Sequence, residues 1–330
     1  MPEITVAILD KFHPHIKEAI AAAAPADWAL LFIEESTLAA RAAVLRDADM
    51  AFVMAAPMPK ELLAAARRLR FIQKLGAGVD RIDLEVCRSR GIGVARLHAG
   101  NSIPVAEHTV LLMLAVYRQL PQIDRRTRAG AWQKEDARGM HRQLQNKTVG
   151  LVGFGAIGRQ VAQRLSGFEV TIIYYDPVRA SRDVEQRLAV SYADLDALVR
   201  TADIVSLHLP LLPQTAGIID AKRIRAMKPG AVLINCARGG LVDEAALVAA
   251  LKDGRLFGAG IDAFASEPPV GSPLLELDNT VVTSHLAGAT LDNFSGIIAR
   301  AVENAKTVLR GDALPETDVV IAPARKVPVA

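Results

Sequence analysis

Cysteine is scarce in this chain of 330 residues: Cys87 and Cys236 are the only two, far apart and outside any metal-ligand spacing. A disulfide framework and a zinc site are therefore not expected, no metal is predicted, and a reducing compartment fits. Aromatic residues make up only 5% of the chain, so Ala, Leu and Val carry its apolar content. That composition suits helices packed on a parallel sheet better than an aromatic-rich sandwich. Long hydrophobic runs are missing too. The strongly apolar stretch near the middle, Val110 to Val116, is far too short to cross a bilayer, so no membrane partner is expected. Nor does charge of one sign dominate, because the formal net charge is +3 and pairs such as Arg67-Arg68 and Arg125-Arg126 are dispersed. Nucleic acid, which would need a dense basic stripe, is not an expected partner. Met1 to Asp10 carries an early Glu3 and reads as a strand, not as a secretory leader, so a cytoplasmic location is expected.

What is present is alternation. The length exceeds what one hydrophobic core usually organises, so two domains are predicted. Thr5 to Leu9, Leu30 to Ile33, Met50 to Met54 and Phe71 to Leu75 read as buried strands. Helical stretches lie between them, around Ile16 to Ala23, Thr37 to Leu45 and Lys60 to Leu69. Val105 to Leu120 reads as a helix too apolar all round to face solvent, hence deeply buried or part of a subunit interface. After a polar stretch from Asp124 to Asn146 a second series follows. Its predicted strands are Val149 to Val152, Val170 to Tyr175, Ile204 to Leu207, Val232 to Asn235, Gly258 to Ile261 and Val281 to Thr283. The fold class is α/β with two doubly wound parallel-sheet domains. A last helix, Leu291 to Leu309, leaves the second series directly and can return to the first domain, and the tail after Pro315 is expected to be loosely held. The predicted domains are thus 1–100 with 289–330, discontinuous, and 101–288.

The second series opens with T-V-G-L-V-G-F-G-A-I-G, in which Gly153, Gly155 and Gly158 form G-x-G-x-x-G between a strand and a helix. Gly153 permits the tight turn, Gly155 lets the backbone approach a pyrophosphate, and Gly158 allows close helix–strand packing. Ala156 and Ile157 begin the helix, whose unpaired N–H groups face the phosphates. Asp176 follows the next strand, about 18 residues past Gly158, where a carboxylate accepts the ribose hydroxyls and repels a 2′-phosphate. NAD is the expected cofactor and NADP the lesser candidate, with Arg179 nearby as the residue in NADP's favour.

Three further segments lie at predicted strand ends, the edge where open α/β sheets bind ligands. V-L-I-N-C-A-R-G-G-L-V-D-E holds Arg238, G-A-G-I-D-A-F-A-S-E-P-P holds Asp262 and Glu267, and V-V-T-S-H-L-A-G-A-T holds His285. Together with the glycine motif and the Gly76-Ala77-Gly78-Val79-Asp80 loop, these segments resemble the D-isomer-specific 2-hydroxyacid dehydrogenase family. The run from Asn235 to Glu244 is most similar to that of D-3-phosphoglycerate dehydrogenases.

The resemblance implies a Rossmann-type NAD-binding domain, a flavodoxin-like substrate domain and a cleft between them. It implies that Arg238 orients the substrate's carboxylate and C2 oxygen, as its planar fork allows. His285 would exchange the proton on that oxygen, and Glu267 would pair with it and fix its ring. Cofactor contacts are implied for Leu209, Pro210, Thr215, Cys236, Ala237, Arg238, Asp262, His285 and Gly288, with His208 as a structural neighbour. Substrate contacts are implied for the backbone nest Ala77, Gly78 and Val79, and for Arg238 and His285. Asn101 and Ser102 either face the cleft or cap the following helix.

The expected reaction exchanges a hydride between NAD(H) and C2 of a small 2-hydroxy or 2-oxo acid such as glyoxylate or hydroxypyruvate. D-3-phosphoglycerate is the alternative, weakened by Met54 standing where those enzymes commonly place an arginine, with Lys74 as a partial substitute. No regulatory domain is expected beyond residue 330. A reading from another class is an NAD(H)-sensing, corepressor-like interaction protein of the same fold. Formate oxidation is disfavoured because Glu267 supplies an acid that formate dehydrogenases of this superfamily lack. A homodimer is expected.

Overall fold

The computed structural model describes residues 4–323. Two units share the chain, residues 1–101 with 290–330 and residues 102–289. The sequence had placed the crossings one residue earlier at both points.

The first unit begins with β1 (Ile4–Ile8), α1 (Pro14–Ala23), β2 (Trp28–Phe32), α2 (Leu38–Leu45) and β3 (Met50–Val53). It continues with α3 (Lys60–Ala65), β4 (Phe71–Lys74), α4 (Leu84–Ser89) and β5 (Gly93–Ala95). Two of these helices, α2 and α4, start where short polar side chains take up orphan N–H groups. Thr37 accepts from Ala40 N at 3.1 Å, and Asp83 accepts from Val86 N at 3.0 Å. The five strands are parallel in the order β5-β4-β3-β1-β2, which is the flavodoxin-like winding.

The second unit opens with α5 (Ser102–Tyr117), α6 (Leu120–Arg128) and α7 (Lys134–Met140). Two of these helices fill the stretch that the sequence showed only as polar. α5 stops three residues short of expectation, because Gln119 adopts a left-handed φ of 48°. β6 (Thr148–Val152), α8 (Ala156–Leu165), β7 (Thr171–Tyr175), α9 (Arg182–Leu188) and β8 (Val190–Tyr192) follow. Then come α10 (Leu195–Thr201), β9 (Ile204–Leu207), α11 (Ala221–Ala226), β10 (Val232–Asn235), α12 (Glu244–Lys252), β11 (Gly258–Ile261) and β12 (Thr280–Val282). All seven strands are parallel, ordered β12-β11-β10-β9-β6-β7-β8. This is Rossmann winding with one added strand, and its order reverses between β6 and β9. The apolar α5 is explained inside this unit. Val105, Ala106, Leu112, Met113 and Val116 are buried in one core with Val149, Leu151, Val161 and Ile234.

The chain then returns. α13 (Leu291–Arg310) buries Ile297, Ile298, Ala301, Val302, Ala305 and Val308, a stripe at helical spacing, against the core of the first unit. As far as residue 323 the tail beyond it is not loose. β13 (Val319–Ile321) pairs antiparallel with β5, and Asp318 just before it is fully buried. Arg300 Nη2 donates to both Asp318 oxygens at 2.6 and 2.7 Å, Asn304 Nδ2 to one at 3.2 Å, and His98 N to the other at 3.0 Å. The remainder of the expected loose tail, 324–330, lies outside the described residues, as do the first three residues of the chain. No described helix is long and apolar enough to cross a membrane.

Candidate functional site

The carboxyl edge of the second unit's sheet gathers the chemistry. At the reversal point, Gly153 has φ 102°, and a Cβ there would lie 2.7 Å from the His208 carbonyl carbon. The backbones after β6 and β9 therefore touch, which only glycine permits. A Cβ on Gly158 would meet Gly153 O at 2.4 Å, so the third glycine seats α8 against the turn. Gly155 is exposed, and a Cβ on it would meet nothing within 4 Å. Gly155 is the N-cap of α8 and makes no side-chain cap bond, so Ala156 and Ile157 present the first turn's N–H groups to open space. This cradle fits a pyrophosphate. Asp176 closes it from β7, accepting from Phe154 N at 2.8 Å and from Val178 N at 3.0 Å.

Beside it, burial pushes the His208 imidazole down to about 3, so this ring is neutral, with Nε2 3.0 Å from Ser206 Oγ. Leu209 is buried and Pro210 exposed along the same loop. Thr215, expected at the cofactor, lies further along this loop. Its buried hydroxyl donates to Pro210 O at 2.6 Å and accepts from Leu212 N at 2.8 Å, so the side chain shapes the loop.

Three neighbouring strands, β10, β11 and β12, end in the segments bearing Arg238, Glu267 and His285. After β10, the buried Asn235 staples its own turn: Oδ1 accepts from Ala237 N at 3.0 Å, and Nδ2 donates to Arg238 O at 2.9 Å. Cys236 is buried, and burial pushes its thiol up to about 12, so its side chain is a neutral packing group. The Arg238 guanidinium donates through Nη1 to Ala237 O at 2.7 Å. A Cβ on Gly239 would stand 1.9 Å from the Phe264 carbonyl carbon, so the arginine turn lies directly on the loop that follows β11.

That loop delivers Glu267. Its Oε1 accepts from Phe264 N at 3.3 Å and lies 2.7 Å from His285 Nδ1. The pairing occupies Nδ1 and leaves Nε2 as the nitrogen able to exchange a proton with a ligand. The His285 side chain is 41% exposed, so it is open to one.

His285 adopts φ 54°, a left-handed conformation costing on the order of 1–3 kcal/mol in a non-glycine residue. Asp262 enforces it. Fully buried, its carboxylate accepts from Leu286 N at 2.9 Å, Ala287 N at 3.0 Å and Thr283 Oγ1 at 2.6 Å, and its carbonyl accepts from His285 N at 2.8 Å. Thr283 Oγ1 lies 3.0 Å from Nε2 of His108 on α5. Asp262, expected at the cofactor, is thus the post on which the histidine loop is hung, and the half-buried Gly288 follows the last bonded residue of that loop. Thr283, His108 and Asn235 were not singled out as site residues in the sequence. Asn235 stood inside a recognised run, whereas His108 and Thr283 are separated by 175 residues and carried no signal.

In the first unit, Ala77, Gly78 and Val79 form a half-buried loop after β4, whose course is fixed by Leu97 N donating to Gly76 O at 3.1 Å and Ile82 N to Val79 O at 3.0 Å. Met54 is partly buried in the core, with its carbonyl bonded by Lys74 Nζ. Ser102 is the first residue of α5, and Asn101 immediately precedes it.

Residues 110–287 match the family model described as D-isomer specific 2-hydroxyacid dehydrogenase, NAD binding domain. A D-3-phosphoglycerate dehydrogenase of Archaeoglobus fulgidus is 39% identical over 248 residues, 74% of this chain and 46% of that protein. The chain thus spans about half the length of the phosphoglycerate dehydrogenases it matches. A glyoxylate reductase of Thermofilum pendens is 40% identical over 276 residues, 82% of this chain and 81% of the other. Among solved structures, an NAD-dependent formate dehydrogenase from Staphylococcus aureus in complex with NAD superposes with a TM-score of 0.86 at 27% identity, covering 97% of this chain and 99% of that one. With the glycine cradle, the Glu267–His285 pair and these likenesses together, the chain belongs to the D-isomer specific 2-hydroxyacid dehydrogenase family and carries its NAD-binding domain.

Proposed function

We propose that this protein is an NAD-dependent oxidoreductase acting at C2 of a short D-2-hydroxy acid or the corresponding 2-oxo acid, with glyoxylate and hydroxypyruvate the favoured substrates. The observation that carries it is the 2.7 Å pairing of His285 Nδ1 with Glu267, on the strand edge that also bears Arg238. Bound along Gly153, Gly155, Ala156, Ile157 and Gly158, the nicotinamide cofactor would donate or accept the hydride.

The chain's own groups do the rest. Glu267 holds the imidazole ring so that Nε2 gives a proton to the C2 oxygen in reduction and takes it back in oxidation. Arg238, a fixed cation with a planar fork, binds the carboxylate and stabilises charge developing on that oxygen.

Short unphosphorylated acids are favoured because Met54 offers a thioether where a phosphate would call for an arginine. Lys74, the candidate substitute, spends a donor on the Met54 carbonyl. D-3-phosphoglycerate is the second reading, supported by the 39% identity to the Archaeoglobus fulgidus enzyme. The reading extends to a cytoplasmic homodimer. Both cysteines are free and buried, and Ile103 and Leu111 leave an apolar face on α5 about half exposed.

A panel of 2-oxo acids followed through loss of NADH absorbance tests the substrate class. Glyoxylate or hydroxypyruvate should turn over, and activity confined to the phosphorylated acid would reverse the order of the two readings. His285→Asn keeps a residue tolerant of left-handed backbone and removes the proton carrier. It should cut turnover by about 10²–10⁴-fold while NADH affinity stays near normal; unimpaired turnover would remove His285 from its role. Sedimentation checks the dimer.

A further inference from the structure

At the adenosine end of the cradle lies a cluster that the proton-exchange site does not use. Arg179 comes three residues after Asp176, on the turn that Asp176 itself holds through Val178 N. A guanidinium there is the group a phosphate on the ribose 2′ position would call for. Its donors point elsewhere, however. Arg179 Nε and Nη2 donate to Oε1 and Oε2 of Glu185 on α9, at 2.9 and 3.0 Å. Glu185 is itself fixed, because Oε1 also accepts from the Tyr174 hydroxyl at 2.7 Å. That hydroxyl oxygen accepts from Ala180 N at 3.0 Å, tying the carboxylate to the backbone of the same turn. The Tyr174 ring is fully buried, stacked 4.1 Å from Phe154 of the glycine turn and edge-on to Tyr192 at 5.6 Å. The Arg179 guanidinium lies 5.4 Å over the Tyr192 ring.

We propose that Glu185, aligned by Tyr174, holds Arg179 away from the ribose 2′ position and so sets the preference for NAD over NADP together with Asp176. The proposal rests on the reading of Gly153 to Gly158 as the dinucleotide cradle, and it adds a positioning pair that the glycine motif does not contain. Arg179 is 61% exposed, so the ion pair does little for stability. Its consequence is positional. A 2′-phosphate can recruit this arginine only by breaking two charge-assisted bonds already made with good geometry. The alignment comes from a buried, stacked tyrosine, so Glu185 is not an ordinary mobile surface carboxylate. Arg179 first and Tyr174 second pull the Glu185 carboxyl down to about 2, so the clamp stays charged at every ordinary pH. Asp176 remains in place when the clamp is removed, so a partial change of preference is expected, not a reversal.

The test measures dissociation constants of the full chain for NADH and NADPH by fluorescence, and for ADP and adenosine 2′,5′-bisphosphate by calorimetry. Glu185→Gln should tighten NADPH and the bisphosphate by about three- to fivefold, the worth of the exposed ion pair that no longer has to be broken. NADH and ADP should move by less than about twofold, and the salt dependence of NADPH binding should steepen, as a freed cation requires. Tyr174→Phe, which keeps the ring stack, should give a smaller shift in the same direction. Adding Arg179→Ala to Glu185→Gln should erase the gain. An unchanged NADPH-to-NADH ratio in both single variants, with NADH still bound, overturns the clamp. So does a gain that survives Arg179→Ala, because it would then come from removing negative charge alone. Failure of the wild-type chain to bind either dinucleotide would sink the cradle reading and the clamp with it, an outcome plainly different from a normal NADH affinity with no change in ratio.

Discussion

Among the described residues each unit hides one carboxylate completely, and the two are held by different means. In the first, Asp318 is met by the Arg300 guanidinium at 2.6 and 2.7 Å, with Asn304 and the His98 amide completing the set. In the second, Asp262 is met by the N–H groups of Leu286 and Ala287 and by the Thr283 hydroxyl. A cation neutralises the first, so Asp318 locks a distant stretch of chain onto the sheet. The second is bonded by the backbone of one loop, so Asp262 dictates the path of that loop, including the left-handed turn at His285. A carboxylate paired with arginine acts as a fastener, whereas one satisfied by consecutive amides acts as a template.

The largest expected effect separates these roles on the side of stability. Arg300→Met leaves Asp318 buried without its cation, a loss of about 3 kcal/mol. The thermal transition of the first unit should fall by roughly 6–12 °C, while NADH affinity, a property of the second unit, stays unchanged in titration. A loss of NADH binding equal to the loss of stability would break the distinction.

Next in size is Asp262→Asn, which sets an amide against donors that need an acceptor. Turnover should fall by about a hundredfold, the scale of an ångström-sized misplacement, with a smaller change in melting temperature than for Arg300→Met. If melting drops as far and turnover holds, Asp262 is a fastener too.

A third effect is a pH dependence. The folded His208 titrates at about 3, well below its unfolded value near 6.5, so the unfolded chain binds more protons between those limits. Its contribution to stability is complete above pH 6.5 and is lost as pH falls toward 3, at up to about 1.4 kcal/mol per pH unit. His208→Gln should flatten the acid limb of a melting-temperature profile by that amount, and an unchanged slope would remove His208 as its source.

The smallest effect is expected from Thr283→Val, which deletes one hydrogen bond to Asp262 worth about 1 kcal/mol. A turnover loss of about fivefold, with KM nearly constant, would mark it as a positioning residue; a change in KM alone would not.

Much of this was legible beforehand, for physical reasons that differ from residue to residue. Gly153 and Gly158 were readable because backbone contacts at 2.7 and 2.4 Å admit no side chain, and that demand writes glycine at fixed spacing. β5, β8 and β13 were missed, because three residues are too few to display a strand period. The expectation of a loose tail failed between Pro315 and residue 323 for another reason: the residue that pins this stretch, Asp318, finds Arg300 and Asn304 only after α13 has folded back. Thr215 and Asp262 were expected at the cofactor, and the bonds their side chains make to the surrounding loops are visible only in which donors and acceptors meet.

The sequence by itself determined the α/β alternation, the glycine cradle, Asp176, and the presence of Arg238, Glu267 and His285 at strand ends, since each depends on local spacing or on chemistry that one residue type supplies. Only the tertiary structure decided that Glu267 reaches Nδ1 of His285, that His108 and Asp262 meet through Thr283, and that Glu185 takes Arg179 for itself. Hydrogen bonds act over about 3 Å in space, and separation along the chain says nothing about which partners come that close until the sheet is assembled.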